Sequence, residues 1–148
     1  MQPLPPALTA MRTLLLLFAA LGVAACSQPV SDTPPEAPVA ETGAFRDEAD
    51  YRAQRVRATA DLDALIGTAA ASDAAACRVV AVGAKACGGP LEYRVYSATA
   101  SDAAQVEAQA ARITALDRRA NAQFQYVSDC MLVGEPQAAL VDGRCVAR

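Results

Sequence analysis

The chain has 148 residues, 13 basic and 16 acidic side chains, a formal net charge of −3 and no histidine. The missing histidine excludes Ser-His-Asp and Cys-His catalysis within one chain, excludes His-liganded zinc and removes the commonest general acid/base. The acidic balance disfavours nucleic acid, whose phosphates call for a basic surface, and it disfavours a polybasic membrane patch.

In chain order, the first informative element is the uncharged run Leu14–Ala25, which ends in small residues directly before Cys26. It is shorter than the roughly 18 to 20 apolar residues of a membrane-spanning helix and has the length of a signal h-region. Val23-Ala24-Ala25-Cys26 resembles the lipobox of bacterial lipoproteins. That resemblance implies lipid attachment to the Cys26 sulfur, cleavage before Cys26 and acylation of the new amino terminus. Arg12 supplies a positive n-region if translation begins at Met11, whereas residues 1–10 hold three prolines and no side-chain charge. Met11 is therefore the expected start. Ser27, rather than an aspartate, follows the cysteine, and by the same resemblance this directs a lipoprotein to the outer membrane of a Gram-negative envelope. A single acyl chain binds a bilayer with K of only about 10⁴ M⁻¹, but two or three on one residue make release negligible.

Residues 26–44 form the lipidated cysteine and a tether. Pro29, Pro34, Pro35 and Pro38 alternate there with small, polar and acidic residues. Such a composition cannot bury a core and favours extended chain, at about 3.1 Å per residue. The expected folded domain spans 45–148, near the usual size of a single domain.

The first helix of this domain is expected from near Phe45 to Gly67–Ala71, with Phe45, Ala49, Ala53, Val56, Ala60, Leu62, Leu65, Ile66 and Ala69 along its apolar face. Asp47, Glu48 and Asp50 in the first turns suit the helix dipole, and Glu48 can pair with Arg52 at i,i+4. Two strands follow, Arg78–Val82 and Leu91–Tyr96. The second alternates Leu91, Tyr93 and Val95 with Glu92, Arg94 and Tyr96, the latter set expected to face outward. Asp102 caps a second helix, with Gln105 three residues on as in a capping box, and Val106, Ala110, Ile113, Ala120 and Phe124 form its apolar stripe with Leu116 at the margin. Gln125–Val127 and Met131–Val133 read as further short strands. Ala139–Val141 and Arg144–Val146 flank Asp142-Gly143, a favoured hairpin turn. The whole predicts an α+β domain, two helices packed on a small antiparallel sheet.

Four cysteines remain beyond Cys26: Cys77, Cys87, Cys130 and Cys145. An even number in an exported domain of this size predicts two disulfides. Pairing Cys77–Cys87 with Cys130–Cys145 closes two local loops, each contributing around 3 kcal/mol; the rival is Cys87–Cys130 with Cys77–Cys145. No C-x-x-C pair is present, which argues against a metal site or a redox-active pair. Between the strands, Cys87-Gly88-Gly89-Pro90 describes a tight turn. Lys85, Gly88, Gly89, Pro90 and Tyr96 are the candidate binding residues.

Gly83-Ala84-Lys85-Ala86-Cys87-Gly88-Gly89-Pro90, then Tyr93, Tyr96-Ser97, Ser128-Asp129-Cys130 and Cys145 resemble a family of small, uncharacterised bacterial lipoproteins and secreted proteins. The resemblance covers about residues 77–148. It implies an exported disulfide-bonded domain and no particular reaction.

These features together predict an envelope-anchored, non-catalytic binding or structural module. Its expected partners are the membrane, through the lipid, and an envelope protein or peptide; no cofactor is implied. A sharper version is a protein inhibitor of lysozyme-like enzymes, with an acidic surface docking on a basic enzyme. The alternative of another class is a small hydrolase using Lys85, the chain's single lysine, with Ser97 or Ser128 near Asp129. The paired carboxylates Asp61 and Asp63 fall on different sides of a helix and read as solvated.

Overall fold

An aspartate begins each helix. The computed structural model describes residues 43–148; the expected leader, start at Met11, lipidated Cys26 and most of the expected tether fall on residues outside those described. Helix α1, Glu48–Ile66, is capped by Asp47, whose carboxylate accepts the Asp50 N–H at 2.7 Å. It ends at Gly67, in positive φ. Phe45 stands before the helix, buried against Tyr51 and Phe124, with the Arg119 guanidinium 4.1 Å from its ring centre. Glu48 and Arg52 pair at 2.6 Å as expected. The buried face of α1, however, runs through Tyr51, Ala58, Leu62 and Leu65, while Ala49, Ala53, Val56 and Ala60 meet solvent. Alanines do not specify a face, and the one aromatic residue of the helix, Tyr51, sets its rotation by what it buries.

Helix α2, Ala103–Phe124, begins at Asp102, whose carboxylate accepts the N–H groups of Ala104 and Gln105. Of its expected stripe, Val106, Ala110, Ile113 and Ala120 are buried and Phe124 is half-buried, while Leu116 is buried rather than at the margin. α1 and α2 pack on each other, and α2 lies across the first hairpin.

That hairpin pairs β1, Cys77–Val82, with β2, Glu92–Ser97, antiparallel, with Cys77 opposite Ser97 and Val82 opposite Glu92. A second hairpin pairs β3, Ala138–Val141, with β4, Arg144–Ala147, around the predicted Asp142-Gly143 turn, where both residues take positive φ. The expected sheet is thus two two-stranded sheets. They are joined by packing of β4 on β2 and β3 on β1, and the chain at Ala69–Ala71 hydrogen-bonds to β4 and its turn. Val80, Val82 and Tyr96 belong to the main core beneath the helices, whereas Cys77 and Val95 pack on the other side with Ala69 and Cys145.

Two expectations are corrected here. Tyr96 does not face outward: it is 2% exposed and its hydroxyl donates to Glu107 at 3.2 Å. Glu92 and Arg94, on the same face, meet Arg55 and Asp63 of α1. Helices cover one side of this narrow hairpin and the second hairpin approaches the other, so alternation alone does not say which side is wet. The disulfides are Cys77–Cys145 and Cys87–Cys130, each with Cα atoms 5.3 Å apart, and not the two local pairs. Cys77 opens β1 and Cys87 lies beyond its far end. A six-residue strand spans roughly 20 Å, well outside the Cα spacing a disulfide tolerates. The observed pairs close longer loops and contribute about 4 kcal/mol each in the chain-entropy account.

Candidate functional site

The loop between β1 and β2 is laid onto α2 by its own backbone. The Gly83 N–H donates to Thr114 Oγ1 at 3.1 Å, the Ala84 N–H to Asp117 Oδ2 at 3.2 Å, and Asn121 Nδ2 returns a bond to the Ala84 carbonyl at 2.9 Å. Gly83 has φ +79°, and a Cβ there would stand 2.6 Å from Asp117 Oδ2 and 3.0 Å from Leu91. No other residue fits that approach. Beyond it the chain closes a tight turn: Lys85 N–H bonds the Gly89 carbonyl and Gly88 N–H bonds the Lys85 carbonyl, both at 3.0 Å. Gly88 and Gly89 also take positive φ, but with open space where a side chain would be.

Asp117 is the buried centre of this arrangement, 1% exposed on the core side of α2. Tyr51 Oη donates to its Oδ1 at 2.8 Å and Arg55 Nε at 3.0 Å, while Oδ2 takes the Ala84 N–H. Three donors offset the cost of burying the carboxylate. Burial, reinforced by the bond to Asp117, pushes the Tyr51 phenol well above its ordinary value. Asp117 is not among the residues expected from the sequence to matter. Its signal is the gap it fills in the α2 stripe, between Ile113 and Ala120, where a helical repeat calls for an apolar side chain.

A second clasp holds the segment after α2. Lys85 is drawn under the loop, its side chain 11% exposed, and Nζ bonds Asp129 Oδ1 at 2.5 Å and the Met131 carbonyl at 2.7 Å. The Cys87–Cys130 disulfide ties the same two segments. Bonds to Lys85, first, and to the Met131 N–H hold the Asp129 carboxyl below its ordinary value. Gln125–Val127 and Met131–Val133 do not form the expected strands: among the described residues no strand pairs with them, and Val127 and Leu132 are 94% and 91% exposed.

Between the turn and α2 lies an open cleft of about 600 Å³. Lys85, Gly88, Gly89 and Pro90 line it, together with Ala84 and Ala86 of the loop and Thr114, Arg118, Asn121, Ala122 and Tyr126 of α2 and its continuation. Four of the five candidate binding residues therefore converge there, and Tyr96 is not among them. Thr114, Arg118, Asn121 and Tyr126 were not singled out from sequence. They become neighbours only because Gly83 lets the loop dock on that face of the helix.

Of the candidate catalytic groups, Lys85 and Asp129 meet, but among the described residues no hydrogen bond joins Lys85 Nζ to Ser97 or Ser128. Lys85 Nζ is bound by Asp129 and Met131. Ser128 Oγ accepts the Cys130 N–H at 3.2 Å, and Ser97 Oγ lies 3.0 Å from Thr99 Oγ1. Asp63 faces Arg94 at 3.7 Å. Among the described residues no group of three His, Cys, Asp or Glu side chains is placed to hold a metal ion. Comparison with known protein families, with curated proteins and with solved structures gives no match to this chain.

Proposed function

We propose that the protein is a bacterial envelope lipoprotein, attached through Cys26, whose folded domain is a non-catalytic binding module working through the cleft between the Lys85–Pro90 turn and α2. The observation that carries this reading is the rigidity of the cleft's walls. The loop wall is fixed to α2 by Gly83, Ala84 and the buried Asp117 and to the chain after α2 by Cys87–Cys130 and Lys85, and the other wall is helix α2 itself. Walls fixed before a ligand arrives lower the ordering cost of binding. The volume lies within the range of small-ligand and peptide sites. The disulfides suit the oxidising compartment that the lipobox resemblance implies. The hydrolase alternative gains no support, because the lysine it needs is spent on holding a loop.

Site-specific photo-crosslinking in intact cells tests the reading. A photoreactive amino acid at Ala86 or Ala122, both exposed on the cleft, is expected to give a discrete adduct absent when the same group is placed at Ala53, exposed on α1. No adduct from the cleft, or the same adducts from Ala53, would refute it.

A further inference from the structure

The charges lining the cleft point to the chemistry of what it holds. Of the lining residues, Lys85 and Arg118 carry charge. Lys85 is already matched by Asp129. Arg118 is exposed on α2 and has no hydrogen bond or ion pair within the described residues. One uncompensated guanidinium therefore faces the cleft. Its planar fork matches a carboxylate in a two-bond geometry. A single positive charge suits a singly charged anion better than a phosphate dianion, which would leave excess negative charge near Asp129. One turn of helix on, Asn121 gives its Nδ2 to the Ala84 carbonyl, which leaves its own carbonyl oxygen to accept an amide N–H. On the opposite wall, between Lys85 and Pro90 at its ends, lie Ala86, Gly88 and Gly89, with Ala84 just before them. With at most a methyl group on each of these four, that stretch of the wall lets an extended backbone come close.

Resting on the reading of this cleft as a binding site, we propose that its ligand is a peptide held by its terminal carboxylate, with Arg118 gripping the carboxylate, Asn121 the last amide, and the Gly88-Gly89 wall lying along the chain.

The test uses the mature protein extracted in detergent and pools of tripeptides carrying a dye at the amino end, with either a free carboxylate or a carboxamide at the other. Fluorescence polarisation is expected to show the carboxylate pool binding at least tenfold more tightly than the amide pool. Arg118→Gln is expected to lose that difference while melting at the wild-type temperature, since Arg118 supports nothing in the fold; Arg118→Lys should retain part of it. Equal binding of the two pools, unchanged binding by Arg118→Gln, or no binding of either pool would overturn the proposal. Failure here with crosslinks still formed in cells from Ala86 and Ala122 would leave the cleft a binding site and remove only the carboxylate. Failure of both would remove the site.

Discussion

Asp117 shows how one buried carboxylate serves both the core and the cleft. It joins α1, through Tyr51 and Arg55, to the loop that forms one cleft wall, through Ala84. Asp117→Ala leaves the Tyr51 phenol and the Ala84 N–H without their acceptor and Arg55 with only Glu92 at 3.9 Å, and we expect a loss of about 3 kcal/mol in urea unfolding. Gly83→Ala meets both Asp117 and a positive φ, and should cost about 3 kcal/mol; Gly88→Ala meets only the positive φ, and should cost about 1 kcal/mol. Equal effects at the two glycines would contradict the close approach described for Gly83. Tyr51 adds a pH dependence. Its folded value lies above the ordinary 10.0, so the neutral phenol is favoured by folding. The associated stability is complete below pH about 10 and declines as pH rises beyond it, because the unfolded chain ionises first. Urea unfolding of Tyr51→Phe between pH 8 and 11.5 should therefore show a shallower alkaline decline than the wild type, from a starting point lowered by about 1 kcal/mol.

At the scale of elements, the two crosslinks have different tasks. Cys77–Cys145 joins the hairpins through their packed faces, where both cysteines are buried. Cys87–Cys130 is exposed and joins two irregular segments that no ladder holds. Replacing Cys87 and Cys130 by serine should cost up to about 4 kcal/mol, and limited proteolysis should then cut within 126–134 before any other part of the domain. A first cut in β3 or β4 would contradict this. The Asp129 carboxyl lies below its ordinary value of 3.8, so the Lys85 clasp is complete above pH about 4 and is lost as pH falls through the folded value. Protection from hydrogen exchange in 126–134, measured against the intrinsic rate at each pH, should fall in acid, and less so in Lys85→Met, which lacks the clasp at every pH. Much of this level was legible in the sequence. The Asp102 cap, the α2 stripe and the Asp142-Gly143 turn are local signals with one structural solution each, and they stand where expected. Three things were not legible. The face of α1 was obscured by alanine. The wet side of β2 depends on a second hairpin some forty residues away (β3 and β4). The disulfide pairing depends on strand direction, which makes Cys77 and Cys87 distant although they are close in sequence. For the cleft, the Lys85-to-Pro90 turn could be picked out from its residues, but the helix that completes it could not, because nothing local says that Gly83 lies on Asp117.

For the molecule as a whole, three carboxylates hold their charge toward acid. Asp50, Asp102 and Asp129 all lie below the ordinary carboxyl value, Asp50 at about 2, where it is held first by bonds from Arg46. Their contribution to stability is present above pH about 4 and is lost toward pH 2. In the proposed function, the anchor fixes both the domain's address and the compartment in which its four cysteines oxidise. The mass of the intact protein, extracted from membranes in detergent without reductant, tests both together. The account predicts a chain beginning at Cys26, heavier by its acyl groups and lighter by the hydrogens of two disulfides. A chain that retains the leader, with Cys26 unmodified and the other cysteines reduced, would contradict it.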